Sequence, residues 1–171
     1  FNHRFDRDLF RLPAPDILEE GARVMSLRDS TEKMSKSAAS DMARINLRDD
    51  ADTIARKIKK ARTDPHPVPE TRDDMQQRPE AHNLITIFAA LTGRGRDEII
   101  AEYGGRQFAE FKQALSEVVV ETMSPITAEM DKLMQDPAQI DRVLADGAQT
   151  ARACAAPKLE EAKRVMGFWY A

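Results

Sequence analysis

Residues able to face a core recur at helical spacing from Phe108 through Phe111, Leu115, Val118, Val119, Thr122 and Ile126 to Met130 and Leu133. A run of that period and length cannot be a strand, whose side chains change face at every residue. It commits the C-terminal part of the chain to long helices. Pro125 lies inside the run, and because the pattern survives on both sides it predicts a kink rather than an end. Asp136-Pro137 then reads as an N-cap followed by proline in the first turn. The helix it opens carries Ile140, Val143, Leu144, Gly147 and Ala151, and later Leu159, Ala162, Val165 and Met166, with Pro157 as a second kink or break.

The helical texture begins near Asp49. Asp49, Asp50 and Asp52 place negative charge at a helix start, while Arg56, Lys57, Lys59, Lys60 and Arg62 load its end, matching the helix dipole in sign at both termini. Ala51, Ile54, Ile58 and Ala61 form its apolar stripe. The prolines between Asp64 and Pro69 predict an extended linker. A helix from about Pro79 to Thr92 follows, with Leu84, Ile87, Phe88 and Leu91 inward and Gly93 just past its end. A short one holds Ile99, Ile100 and Tyr103 and stops at Gly104-Gly105.

Before Asp49 the chain differs. Pro13 and Pro15 break any entering helix. Gly21 to Leu27 is apolar on both faces and reads as a short buried strand. Ser30 to Ser40 is small, polar and basic, which means a loop.

Composition narrows the function classes. The chain is 42% hydrophobic and 32% charged, which fits a soluble globular protein. No apolar run approaches the ~20 residues a bilayer span needs, so no membrane role is expected. Phe1 to Arg7 offers neither an apolar signal core nor a start methionine, and reads as no natural beginning. Cys154 is the only cysteine, which excludes a disulfide framework and a thiolate metal cluster. It is expected to be a small buried hydrophobe in a reducing, cytoplasmic compartment. Net charge is −3, so contact with nucleic acid must come from a local basic patch.

The stretch that can carry chemistry is Lys33-Met34-Ser35-Lys36-Ser37. Small residues let the backbone approach a ligand closely. Two flexible point charges can converge on one polyphosphate, with Ser35 and Ser37 adding hydroxyl and backbone donors. The plain alternative is a solvated polar loop. His66 between two prolines reads as exposed, and His82 as a surface or capping residue, since neither has partners for a metal. The basic run Arg56 to Arg62 is either a solvated helix face or a phosphate-contacting face, with Lys57 and Lys60 the candidates for the latter. Trp169 and Tyr170 could stack on a base or pack on the helices.

Lys33 to Ser37 stands in the order of the KMSKS signature of class I aminoacyl-tRNA synthetases, and its surroundings resemble the bacterial tryptophanyl branch along nearly the whole chain. The matching segments are Gly21 to Leu27, Ile45-Asn46-Leu47, Asp50 to Asp64, Asn83-Leu84-Ile85, Leu91-Thr92-Gly93, Phe111-Lys112, Glu121-Thr122 with Pro125-Ile126, Gly147-Ala148 and Met166-Gly167-Phe168. The chain departs from the pattern at Ser30, commonly proline, at Glu32, usually lysine, and at Ala38, usually acidic. These changes predict a less stiff loop, a weaker local positive potential and an altered latch. None removes a phosphate ligand.

The resemblance implies a mostly α fold, in which the C-terminal remnant of a Rossmann-like nucleotide-binding domain (residues 1–47, with the signature loop) precedes an α-helical bundle domain (residues 48–171) on the anticodon side of tRNA. It implies that Lys33 and Lys36 are catalytic and stabilise triphosphate charge. Met34, Ser35 and Ser37 belong to the same ATP-binding loop, and Val24 meets the adenosine through its backbone. It also implies ATP as substrate with Mg2+, tryptophan and tRNA(Trp) as partners, and a homodimer at full length. The family's H-x-G-H motif needs paired histidines, whereas His3, His66 and His82 are isolated, so the chain reads as a C-terminal fragment whose tryptophan pocket lies elsewhere. A tyrosyl-type synthetase and a non-catalytic helical RNA-binding module remain as alternatives.

Overall fold

The structure, a computed structural model, describes residues 1–17 and 23–168. Among these residues the helices are α1 Asn2–Phe5, α2 Ala51–Lys59, α3 Arg72–Gln77, α4 Pro79–Thr92, α5 Arg96–Tyr103, α6 Phe108–Met134 and α7 Pro137–Val165, with a 3-10 turn at Asp41–Ala43. The expectation of a mostly α chain holds. The helix ends follow local chemistry: the Asp50 carboxylate accepts from Thr53 N at 2.8 Å to cap α2, and Asp136 does the same for α7 from Gln139 N at 3.0 Å. Gly93 closes α4 at φ 68°, a left-handed conformation that costs glycine nothing. Helix α3 was not expected, although Thr71-Arg72-Asp73-Asp74 carries a cap pattern. Thr71 caps it, accepting from Asp74 N.

The strand expected over Gly21 to Leu27 does not form among the described residues, and no Rossmann-like remnant is visible there. A single antiparallel bridge joins Met25 and Lys33. The reason lies in where the backbone groups go. Ser26 N donates to Glu32 O at 2.8 Å, Leu27 N to Ala43 O at 2.9 Å and Met34 N to Val24 O at 3.0 Å. Met25 N donates to the Asn83 side-chain oxygen at 2.8 Å, and Asn83 Nδ2 donates back to Met25 O at 2.9 Å. These partners sit on different segments, so the pairing is complete without a ladder. Gly21 and Ala22 lie outside the described residues.

The chain divides into two compact units, Ile17–Asp131 on the one hand and Phe1–Asp16 with Lys132–Ala171 on the other. The first has a continuous apolar core in which Leu27 joins Ile54 and Ile58 of α2, Met75 of α3, Leu84, Ile85 and Phe88 of α4, Ile99 of α5, and Phe111, Leu115 and Val119 of α6. Residues on either side of position 47 therefore share that core. Phe88, Tyr103 and Phe111 pack ring to ring with centroids 5.4 to 5.7 Å apart. The proline segment expected as a linker is exposed at Pro65, His66 and Pro67 but turns into the interior at Val68 and Pro69. Val68 is buried, Val68 N donates to Arg106 O and Gly105 N to Val68 O, both at 2.9 Å. A Cβ on Gly104 would meet Ile100 O at 2.6 Å and Glu70 Cα at 3.1 Å, so this approach needs glycine.

Helix α6 runs unbroken through Pro125. Its buried face is confined to Phe108, Phe111, Leu115 and Val119, and Ile126 is exposed. In the second unit α7 runs unbroken through Pro157 and buries only Ala162 among its described residues. Cys154 is exposed there, not buried as expected. A side chain so small contributes too little area to choose the packed face of its helix. At the other end of this unit, Asn2 Nδ2 donates to Phe10 O at 2.6 Å and Phe10 N donates to Asn2 Oδ1 at 3.0 Å, bracing a cluster of Phe1, Phe5 and Phe10. No helix among the described residues is long and apolar enough to cross a membrane. Trp169 and Tyr170 lie outside the described residues.

Candidate functional site

The signature loop follows a tight reversal of the chain. Ser26 Oγ accepts from Arg28 N at 3.1 Å and from Asp29 N at 3.2 Å, and Asp29 accepts from both the amide and the hydroxyl of Thr31. The Thr31 bonds hold the Asp29 carboxyl below its ordinary pKa. The chain then passes through the Met25–Lys33 bridge into the loop. Ser30, in this reversal, is buried with its hydroxyl unpartnered among the described residues, and nothing in the structure explains it.

Within the loop, Met34 is half-buried and packs on the core, while Lys33, Ser35, Lys36 and Ser37 are exposed. The turn that presents them is built from its own residues. Ser35 Oγ accepts from Ser37 N and Ser35 O from Ala38 N, both at 3.2 Å. An apolar anchor thus holds the middle of a loop whose two ammonium groups stand in solvent. Val24 is half-buried, and its carbonyl is taken by Met34 N. Together with Met34, Ile45, Ile87, Leu91 and Met123 it lines an apolar cavity of about 310 Å³. A second cleft of about 410 Å³ is bordered by Met34, Lys36, Arg44, Asn46, Arg48 and Met130.

The segment after the loop is tied down by charges. Arg44 Nη1 donates to Ala38 O at 2.9 Å, its Nε donates to Asn46 Oδ1 at 2.9 Å, and its Nη2 lies 3.1 Å from Asp41 Oδ1. Lys57 Nζ lies 2.7 Å from Asp41 and 2.6 Å from Asp49. Asn46 N and Nδ2 also donate to Asp49. The hydrogen bonds from Lys57 and then Asn46 hold the Asp41 carboxyl below its ordinary pKa. The contact that Arg44 makes at position 38 is to the backbone carbonyl, which any residue there would supply.

Lys57 corrects an expectation. It has no solvent exposure, and its ammonium is committed to two carboxylates. Desolvating it a second time onto an RNA phosphate would break both pairs. Its aliphatic stem lies on the same helical face as Ile54 and Ile58, which is why a lysine in an apparently solvated basic run turns inward. Lys60 is exposed, and its carbonyl accepts from Arg28 Nη1 at 2.6 Å. His66 is exposed, as expected, and His82 Nε2 lies 3.3 Å from Arg96 Nη1.

Sequence reasoning did not single out Arg44, Asp41 or Asn83 by role. Asn83 carried a usable signal, an asparagine one residue before the buried run Leu84 to Thr86 in a helix that needed no cap at that position. Arg44 carried none, because its contact is with a backbone carbonyl six residues away.

Residues 1–124 match the family described as tRNA synthetases class I (W and Y). A tryptophan–tRNA ligase from Caulobacter vibrioides is 54% identical over 99% of this chain and 49% of its own length. Among solved structures, tryptophanyl-tRNA synthetase from Mycoplasma pneumoniae superposes with a TM-score of 0.79 at 24% identity, covering 97% of this chain and 49% of that one. That of Campylobacter jejuni complexed with ADP and tryptophane gives 0.61 at 25% identity, covering 97% and 50%. The chain spans about half the length of the curated relatives it matches. It belongs to the class I tRNA synthetases of the tryptophan and tyrosine group.

Proposed function

We propose that this chain is the C-terminal part of a tryptophan–tRNA ligase, supplying the phosphate-gripping loop for ATP-dependent activation of tryptophan and a helical surface for tRNA(Trp). The observation that carries the reading is the loop itself. Lys33 and Lys36 stand exposed on a turn anchored through Met34, in a chain of this family. Tryptophan is favoured over tyrosine because the relative matched over 99% of the chain is a tryptophan–tRNA ligase.

In this reading tryptophan's carboxylate oxygen attacks the α-phosphorus of ATP, forming the adenylate, while the bond to pyrophosphate breaks. Negative charge builds on the departing phosphates, and the two ammonium groups stabilise it. Ser35, Ser37 and the loop amides position the phosphates, and Val24 borders the adenosine. Electrostatic stabilisation of this kind contributes most when charge develops in the transition state. Mg2+ would arrive with the triphosphate. Among the described residues no group of three or more His, Cys, Asp or Glu could hold a metal, and the reading requires none of them to ligate it.

Residues 1–47 and 48–171 keep separate roles in this proposal, ATP and tRNA respectively, although Leu27 and Ile54 share one core. Exposed Lys60 is the remaining candidate for a phosphate of tRNA on its helix. Homodimerisation and a cytoplasmic setting at full length rest on the resemblance alone.

In the full-length enzyme, Lys33→Ala and Lys36→Ala should each slow tryptophan-dependent ATP–pyrophosphate exchange by roughly 10²-fold, mainly in kcat. Wild-type rates in both variants would remove the phosphate role.

A further inference from the structure

We propose that Arg44 is a positioning residue for the phosphate loop, fixing the loop's exit through the Ala38 carbonyl so that Lys36 is held where it must act. The proposal rests on the phosphate-loop reading above. The loop's middle is anchored by Met34, but its C-terminal side has no apolar anchor: Ser35, Lys36 and Ser37 are exposed and Ala38 is only half-buried. Apart from the turn's own bonds from Ser37 N and Ala38 N to Ser35, what ties that side to the rest of the fold is the Arg44 guanidinium, donating to Ala38 O at 2.9 Å and reaching Ser40 O at 3.5 Å. Arg44 is itself held from two other directions, by Asn46 Oδ1 at 2.9 Å and by Asp41 at 3.1 Å. Asp41 is in turn fixed by Lys57, whose buried ammonium stands on α2 in the core.

Chemistry demands arginine here. A planar fork can donate to a carbonyl, an amide oxygen and a carboxylate in three fixed directions, whereas a lysine ammonium is a single point that can satisfy them only one or two at a time. The chain of contacts runs from a rigid helix to a backbone carbonyl one residue beyond the signature, so it controls where the loop sits rather than its charge. Arg44 also borders the cleft shared with Lys36, which raises the competing possibility that its charge alone matters. The conservative variant separates the two.

The test uses the full-length enzyme with Arg44→Lys, Arg44→Ala and Lys36→Ala. Kinetics of ATP–pyrophosphate exchange are read beside hydrogen exchange over residues 33–40 and over α4. Arg44→Lys should lower kcat by roughly 10-fold with KM for ATP nearly unchanged, because small misplacement of a catalytic group acts on the chemical step. Exchange should quicken in residues 33–40 while α4 stays protected. Full kcat in Arg44→Lys with loss in Arg44→Ala would mean charge suffices and would overturn the proposal. Equal loss of protection in the loop and α4 would overturn it too, since Arg44 would then only support the fold. If Lys36→Ala is impaired and both Arg44 variants are normal, the latch alone fails. If Lys36→Ala is itself normal, the phosphate-loop reading has failed beneath it.

Discussion

Lys57 shows how a single buried charge can organise a surface site. Its ammonium has left water for Asp49, whose side chain is 9% exposed, and for Asp41, whose side chain is 57% exposed. A buried ion pair is not a strong source of stability, because desolvation offsets most of the attraction, but removing one partner strands the other. Lys57→Met should therefore destabilise the protein by about 3 kcal/mol, read by urea unfolding. Adding Asp49→Asn should cost much less than the two single losses summed, because the stranded carboxylate is then gone. Strict additivity would show that the pair is not coupled. Asn83 and Asn2 act by a different route. Each amide pairs with both backbone groups of one residue, Met25 and Phe10 respectively, and replaces a strand neighbour where none exists.

At the scale of elements, the segment from Asp64 to α4 is fastened by Arg78. Its guanidinium donates to both oxygens of Asp64 at 2.8 and 2.9 Å, to Asp74 at 3.1 Å and to Pro67 O at 2.6 Å. Burial works against the charge on both sides. The carboxylates nonetheless outweigh it and raise the Arg78 pKa, while the Arg78 bonds, with the amide of His66, outweigh it and lower that of Asp64. A carboxyl whose folded pKa lies below its unfolded value adds stability above the unfolded value, near ~3.9, and loses it as pH falls through the folded pKa. Acid unfolding between about pH 5 and pH 2 should thus have a shallower pH dependence in Asp64→Asn than in the wild type. An unchanged slope would assign the acid sensitivity elsewhere. Helix α2 draws its direction from its ends, Asp50 as cap and Arg56 and Lys59 in the last turn, whereas Lys112 of α6 reaches Ala61 O and Thr63 at its exit and has its pKa lowered by burial.

For the whole molecule the tests concern what 171 residues can do alone. The chain holds the signature loop Lys33 to Ser37 and no paired histidines, so on the proposed reading the isolated protein should form no tryptophanyl-adenylate. Measurable adenylate would show that it carries more of the site than the loop. If α2 and its neighbours meet tRNA, the chain should bind cognate tRNA weakly, with affinity falling as salt rises because neutralised phosphates release counterions. Charge reversal at Lys60 should weaken binding and flatten that slope. A tRNA with a changed anticodon that binds equally well would show that this chain is no anticodon reader.

The sequence alone determined the helices with strong end signals. Asp50, Gly93 and Asp136-Pro137 act within a few residues of themselves, and the long apolar repeat allowed no other structure for α6. It also carried the signature Lys33 to Ser37 on which the phosphate-loop proposal rests, because those residues are contiguous. Only the tertiary structure decided which lysine faces inward. It also decided that the proline segment turns into the core at Val68, that Cys154 is exposed, and that residues 23–27 pair without a strand. All but the exposure of Cys154 depend on a partner elsewhere along the chain: Asp41 for Lys57, Arg106 for Val68, Asn83 for Met25. Local propensity carries no information about such partners. The latch at Arg44 spans only six residues, yet a single backbone hydrogen bond leaves no trace in residue type at the position that accepts it.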